Sequence, residues 1–451
     1  MRLNRPTPHL YTHEGGTAGY QRPEVELERA ISTCMLWENT FYEKGSDIAL
    51  RIAELCKQVP DDTIAALAIK ARGVLHLRHV PLWLVVQLCR KRSKLVAELI
   101  PQVVQRADEM AELLSLYWKD GRIPLSAQLK RGLAKVFTNF TPYQLAKWDR
   151  QQAIKLRDVM FMCHPKPNDK AQADVWAKLV KGELESPDTW EVKMAAIGQR
   201  HDLTPEDKHV LKHEMWDCLL AEKKLGAMAI LMNLRNMQEA GVGAEQVNSE
   251  LMRLAPLSRL LPYRYMAAFK AVPGWATLIE RAMLASYTPP QFNEPTCILI
   301  DVSGSMDKPI SEKSTLSRWE AATALTVHLV GQNDVHVYTF SRYLREVPSL
   351  RTLALLTYVN NSQPHGNTDL HGALSQLKRL TYGANAKRIV IITDEQSESG
   401  ILSAWTPYAY LINVAGYKPG LDVSQGWTRF SGWSEHIVDW IVEEEKHGTH
   451  S

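Results

Sequence analysis

The sequence predicts two architectures in one chain: an α-solenoid of stacked helix pairs, followed by a C-terminal α/β domain with a doubly wound parallel sheet. Three observations carry this. Apolar residues recur at three- and four-residue intervals over nearly the first three hundred positions. After that, short buried apolar runs alternate with helical patterns. Between the two stands the proline-rich "YTPPQFNEP". The expected domains are therefore residues 1–289 and 290–451, and 451 residues suffice for two or three ordinary domains.

The helical part reads in order as "DIALRIAELCKQV", "TIAALAIKARGVL", "KLVAELIPQVVQRADEMAELLSLYWK", "ADVWAKLVKGEL" and "MWDCLLAEKKLGAMAILMNLRNMQEAG". Pro60, Pro124, Pro187 and the pair Gly241 and Gly243 punctuate these runs, as helix ends require. Helix pairs of about 40 to 47 residues each fit HEAT-like repeats, which stack into a curved surface suited to an extended ligand. An irregular bundle is the alternative.

In the second part "CILI" reads as a buried strand, and Ser317-Arg318-Trp319-Glu320 as a capping box opening a helix through about Val330. "DVHVYTF" is a second strand, Thr368 to Leu380 a helix, "RIVIITD" and "YAYLINVAG" two more strands, and "WSEHIVDWIVEEEK" a closing helix. In such sheets ligands sit outside the carboxyl ends of the parallel strands.

Composition bounds the function. The longest apolar runs, such as "PLWLVV", fall far short of the roughly 20 residues of a membrane-spanning helix, so a soluble cytoplasmic protein is expected. Six cysteines (Cys34, Cys56, Cys89, Cys163, Cys218, Cys297) are scattered with no C-x-x-C pair, and read as reduced core thiols. Net charge is only +3, but it is unevenly distributed. No acid falls between Asp62 and Glu98, where Lys70, Arg72, Arg78, Arg90, Lys91, Arg92 and Lys94 gather. Residues 121–170 hold ten Lys or Arg (Arg122, Lys130, Arg131, Lys135, Lys147, Arg150, Lys155, Arg157, Lys166, Lys170) against three acids. Two such stretches suggest a polyanion; the alternative is a solvated face balanced in space by acids from elsewhere.

Asp301 and Asp394 each end an apolar strand, so two carboxylates converge on one rim, and Ser303 and Ser305 follow in the turn that Gly304 allows. Carboxylates and hydroxyls without His or Cys suit a hard divalent cation such as Mg²⁺. Asp, Ser and Gly are also ordinary turn formers after a strand.

"DVSGSM" after a strand, "GNTDL" some sixty residues on and "IITDEQ" later resemble, in order, the metal-ion-dependent adhesion site of von Willebrand factor A domains. The resemblance implies Mg²⁺ or Mn²⁺ held by the hydroxyls of Ser303, Ser305 and Thr368, with Asp301 and Asp394 acting directly or through water. An open coordination position would take a partner protein's carboxylate. Thr368 also reads as a helix N-cap. Glu395 departs from the family, where a small residue is commoner, and would repel an acidic partner.

Together with "LHLRHVPLWLV", "LKRGLAKVF", "YQLAKW", "LMNLRNM" and "RLLPYRYMAAF", the domain order resembles the Ro autoantigen family, whose helical part is the TROVE module. That resemblance implies a ring of HEAT-like helices with a hole for single-stranded RNA ends, and an outer basic surface for small structured noncoding RNA of the Y type. It implies RNA quality control rather than catalysis. "LRDVMFMCHPKP" is similar to the family stretch with an RNA-contacting His, which places that role on His164, with Lys166 near it. Lys130, Arg131 and Lys135 share one helix and could follow a phosphate backbone. Tyr117 and Trp118 offer stacking faces, although aromatics at helical spacing are more often core. His209 and His213 read as a solvated helix face.

Two other classes are compatible with parts of the sequence. One is a metal-dependent protein-interaction scaffold without specific RNA. The other is a hydrolase, but phosphatases use a second Asp two residues after the first, where Ser303 stands, and no G-x-S-x-G or P-loop is found.

Overall fold

The computed structural model describes residues 10–11, 17–18, 23–33, 45–149, 153–258, 260–292, 294–312, 314–331, 334–397, 400–415, 421 and 426–447; Cys34 and Arg150 lie outside them. Two compact units result, one of them running from Ile197 through the α/β domain.

One unit, Arg22–Ser32 with Ser46–Ala196, is helical. It contains α1 (Pro23–Thr33), α2 (Gly45–Gln58), α3 (Asp61–Gly73), α4 (His79–Arg90), α5 (Val96–Val103), α6 (Asp108–Tyr117), α7 (Ala127–Phe137), α8 (Pro142–Trp148), α9 (Leu156–Cys163), α10 (Lys170–Lys181) and most of α11 (Trp190–Gln199). Local chemistry sets several ends. Asp61 and Asp62 open α3 and Lys70 and Arg72 close it, each sign against the favourable pole of the helix dipole. Thr141 and Gln144 form a capping box on α8, and Gly182 ends α10 in the left-handed conformation with φ 74°. α3 packs on α4 and α5, α5 on α7, and α7 on α9, so helices meet those two positions on as stacked pairs do. α4 is buried from Val80 to Cys89, and its Trp83 donates to the Ala49 carbonyl at 3.0 Å.

Two runs that read as single helices are broken. The run from Lys94 to Lys119 divides into α5 and α6 because the Glu109 carboxylate turns back to accept the N–H groups of Gln105 and Arg106 at 2.8 and 3.1 Å, capping a new helix start. The run from Met215 onward divides at Gly226, the N-cap of the second helix, after Lys223 takes a left-handed φ of 56°.

The other unit joins α12 (Pro205–Ala221), α13 (Ala227–Glu239), α14 (Ala244–Leu254), α15 (Pro262–Ala271) and α16 (Ala276–Ser286) to the α/β domain. Specific contacts tie these helices to the α/β domain. Lys270 of α15 pairs with Glu320 at 2.8 Å, and the Tyr263 N–H donates to the buried Glu435 at 2.8 Å. The domain follows as β1 (Thr296–Asp301), α17 (Arg318–Leu329), β2 (Val335–Phe340), β3 (Leu344–Val347), α18 (Ala354–Asn360), α19 (Leu370–Arg379), α20 (Thr381–Asn385), β4 (Arg388–Thr393), β5 (Tyr408–Asn413), β6 (Thr428–Ser431) and α21 (Ile437–His447). Strand order is β3-β2-β1-β4-β5-β6, parallel except for the antiparallel edge strand β3. β1 and β4 are wholly buried, which is why both read as continuous apolar runs. The edge strands β3 and β6 are short and mixed in polarity and carry no such signal.

Cys56, Cys89, Cys163 and Cys297 are buried, and desolvation pushes each thiol up to about 12. Cys218 is exposed, against the expectation of a core thiol. Among the described residues no helix is long and apolar enough to cross a membrane.

Candidate functional site

Parallel pairing of β1 with β4 sets Ile300 beside Ile392, so the chain emerges from both strands side by side. Asp301 and Asp394 stand at these ends, both fully buried. The Asp301 carboxylate accepts the Ser303 N–H at 2.8 Å through one oxygen and the Thr393 hydroxyl at 2.6 Å through the other. Ser303 and Ser305 hydroxyls lie 3.2 Å apart.

Hydrogen bonds stitch the Thr368 loop into the same rim. Gly304 N–H donates to the Gly366 carbonyl at 3.0 Å, Asp369 N–H to the carbonyl of Ser341 just beyond β2 at 2.8 Å, and the Ser397 hydroxyl to the Thr368 carbonyl at 3.2 Å. All five residues expected at a metal site thus come from three interlocked loops. The N-cap of α19 is Asp369, whose side chain accepts the Gly372 N–H at 2.9 Å. Thr368, one residue earlier and 4% exposed, does not cap that helix.

Burial and the neighbouring Asp394 carboxylate push Asp301 up to about 7, against the lowering effect of its hydrogen bonds from Thr393 and Ser303. Two carboxylates in so dry a place favour a cation. Among the described residues no three His, Cys, Asp or Glu side chains gather as ligands, so a metal here would draw part of its shell from hydroxyls. That donor set, all oxygen, fits Mg²⁺ or Mn²⁺.

One neighbour of the rim did not emerge from the sequence, and another stands otherwise than expected. Arg318, the first residue of α17 and 3% exposed, donates to Asp394 at 2.8 Å and to the Ser305 carbonyl at 3.1 Å. Its place after an N-cap serine was legible; its partner 76 positions away was not. Glu395 is turned away from the expected role of repelling a partner. It takes a left-handed φ of 58°, is buried, and pairs with Arg429 at 2.7 Å while accepting the Leu421 N–H at 3.0 Å.

In the helical unit, acids from other elements answer the acid-free window. Arg72 pairs with the buried Glu109 at 2.7 Å, Arg78 with Asp108 at 2.9 Å, Arg90 with Asp120 at 2.6 Å, Lys91 with Asp61 at 2.9 Å and Lys70 with Glu28 at 3.0 Å. Five of the seven cations in the window are thus paired, and the spatially balanced alternative holds for them, while Arg92 and Lys94 are exposed.

The second cluster behaves differently. Lys130, Arg131 and Lys135 are exposed on α7, whose first turn has no acid, so the positive end of its dipole is not offset. Lys135 forms an ion pair with Glu98. Lys130 and His164 line one open cavity of about 500 Å³, together with Trp118, Arg122, Ile123 and Phe161. His164 sits at the end of α9 with a left-handed φ of 50°, exposed, which turns the chain at that rim. Arg122 lies 4.9 Å from the Trp118 ring centre, and the Trp118 indole N–H is held by the Ile123 carbonyl at 2.7 Å. Phe161 is 55% exposed, an unusual position for so large an apolar ring. Tyr117 is core, its hydroxyl donating to the Pro124 carbonyl at 3.1 Å. Arg131 and Lys166 are exposed but do not line the cavity. Arg122 was legible only as one of ten cations in its stretch, and Phe161 carried no assigned role; the cavity brings them together.

His209 is exposed and His213 half-buried, as a solvated helix face requires, and their ring nitrogens also meet the Glu239 and Ala240 carbonyls at the end of α13, each at 3.0 Å.

Comparison with known proteins agrees with the fold. The TROVE domain family matches residues 183–286, and the von Willebrand factor type A domain family matches residues 296–396. No curated protein matches the chain in sequence. Among solved structures, the crystal structure of the Deinococcus radiodurans Ro (RSR) protein is similar, with a TM-score of 0.66 at 16% identity over 94% of this chain and 100% of that one.

Proposed function

We propose, from a chain in which a TROVE domain precedes a von Willebrand factor A domain in the fold of a Ro protein, that it is a Ro-type RNA-binding protein. Its RNA would be small, structured, noncoding and Y-like, together with the single-stranded ends of misfolded RNA, in cytoplasmic RNA quality control without catalysis. The observation that carries the reading is the cavity beside α7. Two cations (Arg122, Lys130) and the imidazole of His164 rim aromatic and apolar surface (Trp118, Phe161, Ile123), the combination that holds phosphates while bases stack.

The α/β domain would supply a second attachment. Asp301, Ser303, Ser305, Thr368 and Asp394 would hold Mg²⁺ or Mn²⁺, whose charge would attract a carboxylate from a protein partner. The residues present do the positioning: Thr393 and the Ser303 N–H orient Asp301, and the Gly304 to Gly366 bond fixes the serine turn. The buried ion pair of Glu395 leaves the rim without the extra negative charge that its sequence position suggests.

A gel shift with a small hairpin RNA tests the RNA half. Affinity should fall linearly in log–log form as salt rises, and Lys130→Glu with Arg131→Glu should weaken it about tenfold or more, the loss expected from reversing two phosphate contacts. A double variant that binds as tightly as the parent at low salt removes this surface from the RNA site.

A further inference from the structure

The rim of the α/β domain already contains a cation of its own. Arg318 is fixed at the start of α17 by the Ser317 and Glu320 capping box, and its own N–H donates to the Lys308 carbonyl at 2.9 Å. From that anchor the side chain runs inward, 3% exposed, to a fully buried Asp394 oxygen at 2.8 Å and the Ser305 carbonyl at 3.1 Å. One guanidinium therefore bridges a candidate metal-binding carboxylate and the backbone of a candidate metal-binding serine. Arginine does not lose its proton at any ordinary pH, so this charge is permanent. A buried ion pair is held by mutual need, because either partner alone would be a stranded charge.

We propose that Arg318 is a resident counter-cation of the oxygen cage: it neutralises Asp394 when no metal is bound, and it lowers the affinity for divalent cations by competing for the same carboxylate. The inference rests on the metal reading given above and concerns what sets the strength of that site. Without a cation, two buried carboxylates face each other across adjacent strand ends, an arrangement that disfavours the ionised cage. With Arg318 in place the rim keeps its shape in the absence of metal. An incoming divalent ion meets a fixed positive charge and a carboxylate with one oxygen held by the guanidinium and the other accepting the Gln396 N–H at 3.3 Å. Metal binding is then weaker than the donor set alone would give, and occupancy follows the ambient concentration of Mg²⁺ instead of being permanent.

The test is Mn²⁺ and Mg²⁺ titration by calorimetry on the full-length parent, Arg318→Gln and Arg318→Lys, with thermal melting in chelator and in millimolar Mg²⁺. Arg318→Gln should bind Mn²⁺ about tenfold tighter, the equivalent of about 1.4 kcal/mol, because a competing charge is gone and an Asp394 oxygen is released. It should melt lower than the parent in chelator and gain more from added Mg²⁺. Arg318→Lys keeps a charge but loses the double contact, and should bind tighter than the parent by a smaller factor. A glutamine variant that folds only with metal present supports the inference, since the metal has then replaced the guanidinium. Should neither variant bind metal more tightly than the parent, Arg318 is a structural ion pair and the inference fails. Failure of the metal reading looks different: no variant, nor the parent, binds Mn²⁺ at all.

Discussion

At the scale of single residues, the rim depends on Asp301. Its two oxygens already accept the Ser303 N–H and the Thr393 hydroxyl, so its charge is oriented before any cation arrives. Asp301→Asn preserves the shape and an acceptor for Ser303 while removing the charge. Serine and threonine hydroxyls with Asp394, already paired to Arg318, cannot offset dehydration of a small divalent ion. Mg²⁺ affinity should drop by about a hundredfold or more, beyond the 10–100-fold typical of changes to outer partners. RNA affinity should stay within a factor of about two, because the cationic cavity belongs to the helical unit. Calorimetry and a gel shift on one preparation check both; undiminished Mg²⁺ binding contradicts the cage, and lost RNA binding by a folded variant contradicts the separation of roles. The carboxylates and serines of this rim were legible because strand ends and turn chemistry are local. Arg318 and the burial of Glu395 were not, because their partners arrive from distant strands and loops.

At the scale of elements, α7 shows how packing presents the cations. Gly132 lies within it, where glycine is a poor helix former, and the reason is contact with α5. A Cβ at 132 would stand 2.7 Å from Ile100 Cδ1 and 3.2 Å from Ala97 Cα, so the two helices approach too closely for a side chain. Gly132→Val should destabilise the helical unit by about 1–3 kcal/mol through overpacking. It should also shift Lys130 and weaken RNA binding; thermal melting with a gel shift reads both, and a variant as stable as the parent refutes this account of the helix pair. Helix periodicity made α2, α3 and α10 legible, and buried apolar runs did so for β1, β2, β4 and β5. The division of Lys94 to Lys119 was hidden because both halves keep the same apolar spacing across the break, and only the turned carboxylate of Glu109 separates them. The charge pattern misled over the acid-free window for a related reason: Glu109, Asp108, Asp120 and Asp61 neutralise it from neighbouring elements.

At the scale of the whole molecule, the chain joins a helical surface with exposed cations and aromatics to an α/β rim of buried oxygen donors. These are different chemistries on different units, and the proposed function gives each its own partner: a polyanion for the first, a metal-bridged carboxylate for the second. The proposed RNA site is the cavity formed by Trp118, Arg122, Lys130, Phe161 and His164. Ultraviolet crosslinking of the full-length protein to a small hairpin RNA with an unpaired end, followed by mass spectrometry of the crosslinked peptides, tests it most directly, because aromatic side chains stacked on bases crosslink where they touch. Crosslinks are expected in the peptides spanning Trp118 to Lys130 and Phe161 to Lys166, diminished by Lys130→Glu. Crosslinks confined to residues beyond 290, or unchanged by that substitution, would contradict it.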